Sequence, residues 1–198
     1  MPPPSRQRWL LLPALALLLA LCLGFGWWQN MHGTIGGKIS WEKQLWVFTA
    51  LTFFYLLPGW LWRDPSQEAA TRQFAGVFLA GFLLRALVEL PLLVFTQVWR
   101  CWHGIAHDAV MLGMVLVALP KLLPGTGRKF AWLLILVLLC EALNAWLFGS
   151  TGSPETGIYF ADDSARFALI NQLTRWELIA CLLGLALWLR RYLPTRRT

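Results

Sequence analysis

Six apolar runs of about twenty residues each constrain this 198-residue chain more than any other feature: 9–28, 44–62, 74–98, 103–120, 130–148 and 167–189. At ~1.5 Å per residue, such a run crosses a ~30 Å hydrocarbon layer as a helix. A helix satisfies its own backbone polar groups where no water can reach them. The composition agrees: 58% of residues are hydrophobic, 14% are charged, and the mean hydropathy is +0.56. Soluble domains carry roughly 45–50% apolar and ~25% charged residues. The expected fold is therefore all-α, a polytopic integral membrane protein forming one bundle of six transmembrane helices over residues 1–198. No internal repeat and no soluble domain is evident. The first run follows a basic start (Arg6, Arg8) but precedes no small-x-small cleavage pattern, and Leu21 before Cys22 spoils a lipoprotein-type site. It reads as an uncleaved anchor.

The basic residues set the topology. One side of a six-span arrangement collects eleven of them: Arg6, Arg8, Arg63, Arg72, Lys121, Arg128, Lys129, Arg190, Arg191, Arg196 and Arg197. The other collects four: Lys38, Lys43, Arg100 and Arg166. The positive-inside rule places both termini in the cytoplasm, so the net charge of +7 reads as loop charge, with no nucleic-acid partner. Tryptophans mark both interfaces: Trp9, Trp60, Trp62, Trp132 and Trp188 on one side, Trp27, Trp28, Trp46, Trp99, Trp102 and Trp146 on the other. A bacterial-type inner membrane is the expected location. Of the four cysteines, Cys22, Cys140 and Cys181 fall within apolar runs and only Cys101 lies near a surface. With no CxxC pair, they carry no redox signature.

Against this apolar background the charged residues inside the runs stand out, since each costs roughly 2.5–3.5 kcal/mol or more unless paired or hydrated. Arg85 and Glu89 lie in the third run, His103, His107 and Asp108 in the fourth, Glu141 and Asn144 in the fifth, and Asn171, Gln172, Arg175 and Glu177 in the sixth. The topology puts nearly all of them in the outer half of the membrane. A polar pocket opening to the non-cytoplasmic side is the simplest account. Arg85 and Glu89 share a helix face at i,i+4, as do His103 and His107, and Asn171 and Arg175. Pro91 removes a backbone donor beside Glu89. The loop 149–166, with Ile158-Tyr159-Phe160 at its centre, is a candidate lid.

These groups admit two kinds of reading. Arg85, Arg100 and Arg175, with Asn144 and Asn171, suit an anionic head group, because guanidinium forks match phosphate and carboxylate oxygens. Structurally they are three ion pairs: Arg85 with Glu89, Arg175 with Glu177 or Glu141, and Arg100 with loop acids. His103 and His107, with Asp108 as a third ligand, have the spacing of a divalent-metal site on one helical turn. The plainer reading is an interfacial His103 and a buried His107 bonded to a carboxylate such as Glu89 or Glu141. Asp108 stands about 100° around the helix from His107 and is expected to face another neighbour. Glu89, His107 and Glu141 are the candidate acid–base groups. Gly125-Thr126-Gly127-Arg128-Lys129 lacks the remainder of a phosphate-loop pattern and reads as a tight turn.

The leading functional expectation is a pocket that binds an anionic lipid or lipid-linked head group, with hydrolysis or transfer of that group left open. The alternative is a non-enzymatic accessory or assembly subunit that pairs with another membrane protein. A small transporter is the third reading, disfavoured because the inner halves of the helices offer no polar path.

Overall fold

The computed structural model describes residues 6–32, 40–96, 101–151 and 164–193. Of residues 6–8, 92–96, 101–103, 105, 144–151 and 164–171 it describes the backbone alone. Every described element is helical: α1 Arg6–His32, α2 Trp41–Leu51, a π turn at Thr52–Leu56, α3 Leu57–Arg63, α4 Ala69–Thr96, α5 Cys101–Ala118, a 3-10 turn at Leu119–Lys121, α6 Thr126–Thr151 and α7 Ser164–Tyr192. Among the described residues four helices are long and apolar enough to cross a membrane: Trp9–His32, Trp41–Arg63, Ala69–Pro91 and Gln172–Tyr192. Their outward residues are large and apolar, among them Leu17, Leu21, Leu84, Leu87, Leu183 and Leu187. The chain is an all-helical protein built for a bilayer.

The helices pack as a ring. α1 lies on α2, the π turn and α3 lie along α4, α4 meets α5 and α6, α5 lies on α6, α6 on α7, and α7 returns to α2. The polar connection expected over 29–43 is shorter than predicted. α1 continues to His32, whose Nδ1 lies 2.9 Å from Trp28 O, and α2 starts directly after Ser40, whose hydroxyl caps it by accepting from Lys43 N–H at 3.3 Å. α4 passes through Pro91 and ends at Thr96.

The helix over 41–63 contains a feature no periodicity announces. Pro58 has no N–H to offer the carbonyl of Phe54, four residues back. Just before it the turn widens, and Leu57 N–H reaches Thr52 O, an i to i+5 bond. The widened turn turns Phe53 and Phe54 inward. Phe54 stacks on Phe82 with centroids 4.1 Å apart, and Phe82 is 4.9 Å from Phe78. Tyr55 O–H donates to Phe82 O at 3.1 Å. This aromatic stack joins the 41–63 helix to α4 and centres a core completed by Met111, Val115, Leu134, Leu138, Leu185 and Trp188.

At the end of the bundle where α3 stops, Asp64 is fully buried. The sequence 64–66 reads as a cap starting the next helix, yet α4 begins only at Ala69, and Asp64 instead closes α3. Its carboxylate accepts from Ser66 N–H (3.0 Å), Ser66 O–H (2.7 Å) and Gln67 Nε2 (2.9 Å), which folds the turn onto itself. Tyr192 O–H, from the last turn of α7, adds a bond at 3.1 Å and stacks its ring on Trp188 at 4.6 Å. Beside it, Glu68 packs on the Gly125 turn at the start of α6, where a phosphate-loop reading would have put an anion. Burial alone would push the Asp64 carboxyl up, but the bonds from Gln67, Ser66 and Tyr192 outweigh it and hold the group below the ordinary carboxylate range.

A depressed folded-state value stabilises the fold above the unfolded value, ~3.9 for Asp, and that contribution disappears as pH falls below it towards the folded value. Asp64→Ala strands four donors and is expected to cost about 2–4 kcal/mol, measured as a lowered melting temperature in detergent. Asp64→Asn is expected to flatten the loss of stability that the wild type shows below about pH 4.

Candidate functional site

The polar side chains converge towards the opposite end, where α2, α5 and α7 begin and α4 and α6 finish. At the centre is Arg85 on α4. Its Nη1 donates to Asp108 Oδ1 on α5 at 2.6 Å, and its Nε donates to Glu89 Oε1 at 3.0 Å. Its Nη2 reaches the α5 backbone at Gly104, where an added Cβ would lie 2.7 Å from it. A side chain at position 104 would require the guanidinium to shift. His107 Nε2 lies 3.1 Å from Gly81 O, and since a carbonyl only accepts, that nitrogen carries the hydrogen. His107 Nδ1 lies 3.1 Å from Asp108 Oδ1, and the ring sits edge-on to Phe82 at 4.8 Å. Asp108 thus faces Arg85 as a different neighbour, as expected, yet it also meets His107. His107 pairs with Asp108, where Glu89 or Glu141 had been expected.

Two further contacts extend the polar region across the ring. On α7, Arg175 Nη2 donates to Glu42 Oε1 in the first turn of α2 at 3.2 Å. The expected partners were Glu177 or Glu141. Residues two apart point to different helix faces, so Glu177 turns inward and accepts from Trp46 Nε1 at 3.3 Å. Glu141 on α6 closes the seam, within electrostatic reach of Arg85 and Asp108 on one side and of Glu177 on the other. Five elements therefore contribute to one polar seam: α2, α4, α5, α6 and α7.

Among the described residues the seam holds five carboxylates (Glu42, Glu89, Asp108, Glu141, Glu177) and two guanidinium groups (Arg85, Arg175), with His107 beside them. Arg85 is neutralised by two protein carboxylates. Arg175 differs: its side chain is 56% exposed and, among the described residues, it pairs with the carboxylate of Glu42. Of the remaining candidates, Arg100 and most of the 149–166 loop lie outside the described residues, as do the side chains of His103, Asn144 and Asn171. His107 and Asp108, two of the three candidate metal ligands, are engaged with Gly81 O and Arg85. Among the described residues no group of three or more His, Cys, Asp or Glu side chains is gathered as a metal site, and no step is assigned to a metal.

Sequence reading missed Glu42, placed in a loop, and Trp46, counted as an interface anchor. Their partners lie 133 and 131 residues away, and nothing local signals them. No protein family, curated protein or solved structure matches the chain.

Removing one member of a buried ion pair typically costs about 3–5 kcal/mol, because the other is left uncompensated. Arg85→Gln and Asp108→Asn are each expected to destabilise the bundle. The double variant is expected to cost less than their sum, with a coupling of about 1 kcal/mol or more in detergent unfolding. Additive effects would mean that the contact carries no energy.

Proposed function

We propose that this chain is a six-span protein of a bacterial-type inner membrane, with both termini cytoplasmic, whose polar seam binds an anionic lipid or lipid-linked head group from the outer leaflet. The reading extends the spans to α5 and α6, each on a predicted apolar run, and takes its orientation from the distribution of Lys and Arg. The observation that carries it is Arg175, a half-exposed guanidinium with one carboxylate partner among the described residues, at the rim of a seam built by five elements. Its remaining donors suit a phosphate or carboxylate oxygen. Arg85 serves the reading indirectly, by holding α4 and α5 together beneath the rim.

Binding is favoured over hydrolysis or transfer. A general base needs an available lone pair within reach of its proton, and both ring nitrogens of His107 already face Gly81 O and Asp108. Glu89 and Glu141 remain the seam's proton acceptors for any chemistry performed there. The protein, released into gentle detergent and weighed intact, is expected to retain anionic phospholipid. Arg175→Gln is expected to lower that retention about tenfold, the equivalent of one charge-assisted bond, and Glu42→Gln, which frees the same guanidinium, to raise it. Equal retention by wild type and Arg175→Gln would overturn the reading. A stoichiometric second polypeptide in place of lipid would favour the accessory-subunit alternative.

A further inference from the structure

Both ring nitrogens of His107 face oxygens. Nε2 lies 3.1 Å from Gly81 O on α4, and Nδ1 lies 3.1 Å from Asp108 Oδ1. A carbonyl oxygen only accepts, and so does an ionised carboxylate. A neutral imidazole has one N–H and one bare nitrogen, so it would serve one oxygen and turn a lone pair on the other. Two arrangements remove that conflict: a second hydrogen on the ring, or a hydrogen on the Asp108 carboxyl. Arg85 decides between them. Its Nη1 donates to the same Asp108 Oδ1 at 2.6 Å, and a permanently charged guanidinium pairs with a carboxylate in preference to a carboxylic acid. The charges agree. Arg85 and a doubly protonated His107 bring two positive charges, and Glu89 and Asp108 bring two negative ones. None of the four side chains is more than 22% exposed, and an unbalanced charge there is costly. The neighbouring elements supply no other cation. α6 brings Glu141, within electrostatic reach of Arg85 and Asp108. The 41–63 helix brings Tyr55, whose hydroxyl donates to Phe82 O beside the imidazole. Lys121, on the 3-10 turn packed against α5, lies at the far end of that helix.

We propose that the α4–α5 contact is a proton-binding site, in which His107 carries a hydrogen on each ring nitrogen and donates to Gly81 O and Asp108 Oδ1 together. The ligand is a single proton, taken from solvent onto Nδ1 and returned to solvent when it leaves. Its loss sets two lone pairs against each other across 3.1 Å and leaves the four groups with a net negative charge, which loosens α5 from α4. The closed contact holds the proton and the opened one does not. The stability it adds is therefore present at lower pH and is lost as pH rises past the point where the ring gives the proton up. The inference is independent of head-group binding at Arg175.

The test is magnetic resonance of the full chain in nanodiscs, with the histidine rings labelled with nitrogen-15. The chain has three histidines. The His107 signals are those missing from His107→Gln and those whose Nε2 lies near the labelled carbonyl carbon of Gly81, so the assignment stands even if the variant fails to fold. At about pH 7.5, where a free imidazole is mostly neutral, both His107 nitrogens are expected to carry hydrogen. In Asp108→Asn, whose amide donates where the carboxylate accepted, Nδ1 is expected to be bare. As pH rises above neutral, the wild type is expected to lose roughly 3–10 °C in melting temperature, the equivalent of one charge-assisted bond. His107→Gln, neutral throughout, should lack that step. A wild-type ring with a bare nitrogen at about pH 7.5 would overturn the proposal, as would a pH step of equal size in His107→Gln.

Discussion

A guanidinium inside a helical bundle has no water to fall back on, and the arrangement around Arg85 follows from that. An arginine offers five N–H donors and cannot shed its charge by losing a proton, so the protein must bring acceptors to it. Glu89 comes from the same helix one turn on. Asp108 comes from the facing helix, where Gly104 leaves room for the guanidinium. His107 then fits between the Asp108 carboxylate and the Gly81 carbonyl, so the same few atoms set the rotation of α4 against α5. The apolar residues cannot set that rotation alone. In lipid, a leucine gains little by exchanging an acyl chain for another leucine, and packing, close approach and polar contacts determine how helices meet.

The two ends of the bundle solve the problem differently. At the Asp64 end one carboxylate collects four donors, three from its own turn and one from the last turn of α7. The contact is compact, saturated and structural. At the other end the polar groups are spread over five elements, carboxylates outnumber guanidinium groups among the described residues, and Arg175 stays half exposed. Between them lies an aromatic and aliphatic middle, with Phe54, Phe78 and Phe82 stacked at its centre. One end is built to hold the fold, and the other keeps charge available at its rim.

Helices were legible in the sequence because each apolar run states its own length, and the Arg85–Glu89 pair was legible because i,i+4 neighbours meet on any helix. Where two segments meet was not. Arg175 lies two residues from one glutamate and 133 from another, and the distant one is its partner. Asp64 carries the residue type of a helix start but sits at the close of the preceding helix, held by its own turn and by Tyr192 from the far end of the chain. The common cause is physical. Periodicity encodes which face of a helix is polar, but the opposing face belongs to another helix, chosen by the packing of the whole ring.

The π turn at Thr52–Leu56 makes the polar seam depend on a phase. A widened turn accommodates one residue more than a regular helix would, and each residue advances an α-helix by about 100°. The half of the 41–63 helix that carries Glu42 and Trp46 is therefore offset in azimuth from the half that carries Leu57 and Leu61. Straightened into an unbroken α-helix anchored at Leu61, the segment would swing Glu42 away from Arg175 and Trp46 away from Glu177. Two of the seam's interhelical contacts are thus written as an angular displacement, set a turn or more away from the residues that make them.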